Sequence, residues 1–122
     1  MEKQAFMAHF SARLEEEKAL IAGRIRDYAE KGCGDDAMLE KIRLNICDAL
    51  GAAVKAGERQ PGLEAALAFA EKRLQDIPAQ WQRNLEAAIR YGDEKARAIE
   101  EIKLDQAARI QSILEECKGG KA

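Results

Sequence analysis

One histidine, His9, is all the imidazole in this chain. A bundle-type di-iron site needs paired Glu-x-x-His motifs, and a zinc site usually needs a second imidazole or several thiolates nearby. His9 also falls off the apolar face of its segment and reads as a surface residue. Cysteine is scarce and odd in number, at Cys33, Cys47 and Cys117, with no Cys-x-x-Cys pair. That pattern argues against a disulfide framework and for a reducing, cytoplasmic setting. Cys33, between two glycines, reads as exposed, and Asp35 and Asp36 oppose a thiolate there. Cys47 and Cys117 flank apolar faces as small hydrophobes.

Other absences narrow the field further. No apolar run approaches the roughly 20 residues that span a bilayer, so no membrane role is expected. The opening "MEKQAFMAHFSARLEEE" lacks the basic-then-apolar layout of a secretory signal. No glycine-rich phosphate loop and no Gly-x-Ser-x-Gly elbow occurs. The formal net charge is only −2, with the signs interspersed, so no long-range field draws the chain to nucleic acid. The expectation is a protein that is not an enzyme, with no catalytic residue, no cofactor, no metal and no nucleic-acid partner.

What is present points to helices. Hydrophobic residues make up 47% and charged residues 34% of 122 positions, aromatics only 5%, and proline appears twice. This is the composition of a helical or coiled-coil protein of one domain, residues 1–122. Met7, Phe10, Leu14, Ile21, Ile25 and Tyr28 recur at three- and four-residue steps and predict a helix over 2–31. Glu17 and Lys18 interrupt that stripe. "KGCGDD" supplies a left-handed stop and a new start. A second helix over 36–56 carries Leu39, Ile42, Ile46, Leu50 and Ala53. Gly57 and Pro61 mark the next turn, and a third helix follows over 62–76 with Leu63, Leu67, Ala70 and Leu74. The small-residue runs "LGAAVKAG" and "LEAALAFA" suggest a closely packed antiparallel hairpin.

Pro78 costs about 3 kcal/mol inside a helix, so the reading breaks the chain there and starts a fourth helix over 78–117. "RYGDEK" is the competing break. Gly92 in mid-helix costs only about 1 kcal/mol, the apolar phase persists across it, and charges continue past it at i,i+4 spacing. Those pairs are Glu86–Arg90, Arg90–Glu94, Asp93–Arg97, Arg97–Glu101 and Asp105–Arg109, read as a solvated outer face. The expected fold is therefore an all-α antiparallel bundle of about four helices with a long C-terminal helix. Its alternative is a compact up-and-down bundle that turns at Gly92. The tail "KGGKA" reads as a helix stop and a frayed end.

A long C-terminal helix would leave part of its apolar stripe uncovered. Trp81, Leu85, Ile89, Ala96, Ile99, Ile110 and Leu114 are the candidate interaction face. The expected function is a non-enzymatic helical interaction or structural protein that forms a homodimer or docks a protein partner. Alternatives are a small-ligand-binding or regulatory bundle and a nucleic-acid-associated regulator. Glu17, Lys18, Lys103 and Gln106 are the polar residues nearest a core, read as positions that set helix register.

Overall fold

The computed structural model describes residues 1–119. Four helices account for nearly all of it: α1 (Lys3–Glu30), α2 (Gly34–Lys55), α3 (Leu63–Tyr91) and α4 (Glu94–Lys118). A single 3-10 turn, Ala56–Arg59, joins α2 to α3. The chain runs up, down, up and down, so the α1–α2 and α3–α4 turns share one end of the bundle. α1 lies along α2 and α3 along α4, while α2 also lies beside α4 and α1 barely meets α3. The result is an all-α bundle with α2 and α4 at its centre.

The two helix reversals at the turn end use the same device. Gly32 has φ +75° and Gly92 φ +68°, the left-handed region that side chains with a Cβ avoid. At the first, Cys33 N–H donates to the Tyr28 carbonyl (2.8 Å) and Gly32 N–H to Ala29 (3.2 Å). At the second, Asp93 N–H donates to Ala88 (2.9 Å) and Gly92 N–H to Ile89 (3.2 Å). Both are Schellman closures, which satisfy carbonyls left over at a helix end.

The long helix expected over 78–117 is thus not formed, and the compact up-and-down alternative is the fold. Two physical reasons explain the difference. Asp93 Oδ1 accepts from Ala96 N–H at 3.0 Å, so α4 is capped without the Glu or Gln of a capping box. The two-residue connection also restarts α4 with its apolar side already turned to α3, which mimics continuous phase. Pro78 does not break the chain, because α3 runs through it. Leu74 is buried one turn below the proline, and Ile77 and Trp81 pack on the core beside and beyond it. Their burial, at roughly 1.5–3 kcal/mol for a large apolar side chain, outweighs one missing hydrogen bond.

Most of the apolar core sits at the end away from these turns, although the same cluster reaches Ile21, fully buried on the turn side of Glu17. Phe6, Phe10, Leu14, Leu50, Val54, Ala66, Ala70, Ile110, Leu114 and Cys117 are buried at the end away from the turns, with Phe6 and Phe10 stacked at 6.2 Å. The small residues are used more widely than the predicted hairpin. Ala53 of α2 and Ala66 and Ala70 of α3 are buried. Gly51, however, faces α1, where an added Cβ would stand 2.5 Å from Leu14 Cδ2. Gly120 to Ala122, within the predicted frayed tail, lie outside the described residues.

Gly92→Ala tests the turn. Alanine in a left-handed position is strained by about 1–2 kcal/mol, so the variant should lose about that much stability in urea denaturation. An increase in stability would mean that position 92 lies within a continuous helix.

Candidate functional site

Above the dry core the bundle carries a belt of buried polar side chains. Glu17 projects from α1 into the interior, only 4% exposed. Arg109 of α4 reaches it with two parallel bonds, Nε to Oε2 at 2.7 Å and Nη2 to Oε1 at 2.9 Å. Gln106, fully buried one turn earlier on α4, donates through Nε2 to the same Oε2 at 3.0 Å and to Cys47 Sγ at 3.3 Å. Its Oε1 accepts from Arg43 Nη1 of α2 at 3.1 Å. Arg43 also binds Asp105 of α4 (2.6 Å) and Glu40 of α2 (3.1 Å), and Glu40 accepts from Arg24 of α1. Three helices are stitched through one connected set, and among the described residues no buried side-chain nitrogen or oxygen lacks a partner.

The belt's electrostatics follow from this geometry. The Arg109 guanidinium, aided by Gln106, holds Glu17 down to about 2 from an ordinary 4.5 despite burial. Burial, reinforced by the nearby Glu17 carboxylate, pushes the Cys47 thiol up to about 11. Cys117 is raised by burial as well. Neither sulfur is poised as a nucleophile, which needs a lowered value and access. Among the described residues no buried polar side-chain atom of the belt lacks a partner, so what the arrangement does chemically is fix three helices in register.

Glu17 and Gln106, which interrupt apolar stripes in the sequence, bond to each other. Lys18 and Lys103 lie outside this set. Lys18 binds Asp48 at 2.8 Å on the α1–α2 surface. Lys103 binds Glu100 at 3.2 Å and stands 5.9 Å from the Trp81 ring centroid. Sequence reasoning missed Arg109, Asp105, Arg43 and Glu40. Spacing alone pairs the first two with one another on the surface, yet Asp105 pairs with Arg43 of α2 and Arg109 with Glu17 of α1. A carboxylate set in an apolar stripe requires a cation from elsewhere, and that was the available signal. Of the predicted charge ladder, only Arg97–Glu101 forms among the described residues, at 2.9 Å; the one rung spanning Gly92, Arg90–Glu94, is lost to the turn, and the Asp93 carboxylate caps α4 instead of meeting the Arg97 guanidinium.

The candidate interaction face is divided by the fold. Ile110 and Leu114 have no exposure and belong to the core, so they offer nothing to a partner. Trp81, Leu85, Ala96 and Ile99 are half-buried. Ile89 is 52% exposed and Tyr91 78%. All five of these residues besides Trp81 lie nearer the turns than the belt does. Met38 of α2, also exposed, joins Leu39, Ala98 and Ile99 around a shallow cleft of about 310 Å³ at the same end.

A larger groove of about 720 Å³ between α1 and α4 is lined by His9, Arg13, Gln111, Ser112 and Glu116, among others. Arg13 is already held by Glu16 (2.8 Å) and Glu116 (2.9 Å), and His9 is half-exposed rather than open to solvent. Cys33 is half-exposed at the N-cap of α2. Among the described residues, no three His, Cys, Asp or Glu side chains are grouped to hold a metal ion. No described helix is long and apolar enough to cross a membrane. No protein-family profile matches the chain, and no curated protein or solved structure shows significant similarity to it.

Acid should weaken the belt in a defined window. Because Glu17 titrates below its ordinary 4.5, its contribution is fully present above that value and is lost as pH falls toward 2. The shift corresponds to at most about 3 kcal/mol, and solvent around the 55%-exposed Arg109 side chain reduces it toward about 1–2. Urea denaturation of the wild type should therefore lose that much more stability between pH 5 and pH 2 than Glu17→Gln does. Equal losses would show that Glu17 is not held by Arg109.

Proposed function

We propose that this chain is a non-enzymatic helical interaction protein that binds a protein, a second copy or another chain, through the apolar edge of its turn end. One observation carries the reading. The two ends of the bundle are finished differently: the end away from the turns is a dry core, whereas Leu85, Ile99, Ile89, Tyr91 and Met38 stay half-buried or exposed at the turn end. Apolar side chains left at one end of a well-packed bundle are the usual material of a docking surface. Leu85, Ile89 and the half-buried Trp81 recur every four residues along α3, the spacing with which one helix lays an edge on another. Trp81 adds a ring of the type favoured at interface centres.

The belt supports this reading from the other side. Among the described residues its buried polar side-chain atoms are all partnered, which leaves them unavailable to orient a small ligand or a substrate. Three unpaired thiols suit a reducing compartment such as the cytoplasm.

A photo-crosslinking residue placed at position 89 tests the proposal in the native cell. It should give one or a few adducts of discrete mass, and the same residue at exposed Lys72 should give none above background. Equal labelling from the two positions, or no adduct from position 89, would contradict a docking role for this face.

A further inference from the structure

We infer that the occupant of this face is a second copy of the chain, with the outer halves of two α3 helices packed antiparallel about Ala88. The inference rests on the reading of the turn end as a docking surface and identifies its partner. A single exposed isoleucine requires no explanation; the pattern of charges beside it is what matches a second copy. With a step of ~100° per residue, Glu86, Arg90 and Arg83 form a flank next to Ile89, on the side away from buried Ala88. Glu86 and Arg90 have the i,i+4 spacing of an ion pair, yet among the described residues neither makes a salt bridge. Arg90 lies over the Tyr91 ring at 5.9 Å, and Arg83 donates only to Gln80 at 2.7 Å.

Reversing one α3 against another about Ala88 brings level the residues that lie equally far from it in opposite directions. Glu86 then meets Arg90 of the second copy, and its own Arg90 meets the second copy's Glu86. Arg83 comes level with Asp93 of the second copy. In the same register Leu85 falls between Ile89 and Gly92 of the other chain. At Gly92 an added Cβ would find nothing within 4 Å, so there is room for the leucine. A parallel pairing sets Glu86 against Glu86 and Arg90 against Arg90, and an antiparallel pairing about Leu85 brings the two Glu86 carboxylates close. Of these three pairings, the register about Ala88 is the one that matches both the apolar edge and the charges. A two-fold axis there makes the contact self-complementary and closed. Three helical turns a side is a small interface, so the dimer should dissociate on the order of tens of micromolar.

Sedimentation equilibrium of the full chain from about 1 to 300 µM tests this with a charge swap. Wild type should dimerise within that range. Glu86→Arg and Arg90→Glu, both exposed, should keep their helical circular dichroism and each remain monomeric at concentrations at least tenfold higher. Mixed in equal amounts they should form a heterodimer, because each arginine then faces a glutamate. A monomeric wild type, variants that dimerise like wild type, or a mixture that stays monomeric would each overturn the inference. A discrete adduct from position 89 to a different protein, with the wild type monomeric, would overturn it while leaving the docking surface in place.

Discussion

The arrangement of this bundle depends on a carboxylate buried where an apolar side chain belongs. Glu17 lies in the stripe that α1 presents to its neighbours, and removing its charge from water is costly unless charge and hydrogen bonds replace the solvent. Arg109 supplies a two-pronged cation and Gln106 a further donor. Gln106 is then itself buried and must satisfy its own amide, which brings in Cys47 and Arg43. One substitution of polar for apolar on α1 thus dictates which residues of α2 and α4 can lie opposite. A shift of α4 by one turn would leave Glu17 buried without its cation, a penalty no apolar contact could offset. Polar residues that fix helix register at some cost in stability are known from coiled coils, and the belt acts in that way here.

The belt also separates two kinds of packing. Below it, the largest side chains are completely enclosed and a glycine, Gly51, lets α1 close onto α2. Above it α1 still encloses Ile21, but α3 contributes a single buried residue, Ala88, between Leu74 and its end, and α4 contributes none before Glu100. The turns themselves are well made, with glycines in the left-handed region and an aspartate cap. The turn end is therefore ordered as backbone yet under-covered as surface. A second chain could cover its apolar edge without disturbing the core.

Much of this was legible in the sequence. Three- and four-residue apolar spacing identified all four helices as helical material, and of the four polar residues it placed near the core, Glu17 and Gln106 belong to the polar belt whereas Lys18 and Lys103 do not. The stop at Gly32 was legible because two glycines and two aspartates crowd one short segment. Gly92 was not, because Tyr91-Gly92-Asp93 is short enough that apolar phase and charge spacing continue through it by coincidence. Pro78 misled in the opposite sense: its local penalty is real, but Leu74, Ile77 and Trp81 pack around it and hold the helix through it. Arg109 and Asp105 could not be assigned, since i,i+4 spacing is satisfied equally by a surface pair and by two residues that each reach another helix. Only tertiary structure distinguishes these.

Native-state hydrogen exchange at low micromolar concentration tests the division of the bundle most directly. Amides of α4 from about Gln106 to Cys117 should exchange only through global unfolding, along with those of α1 around Phe10 to Glu17. Interior amides of the outer half of α3, from Leu85 to Tyr91, and of the α4 segment just past its first turn should exchange through a smaller opening that leaves the belt intact. A single opening free energy along the whole of α3 and α4 would contradict the account, because it would mean that the belt does not divide the molecule.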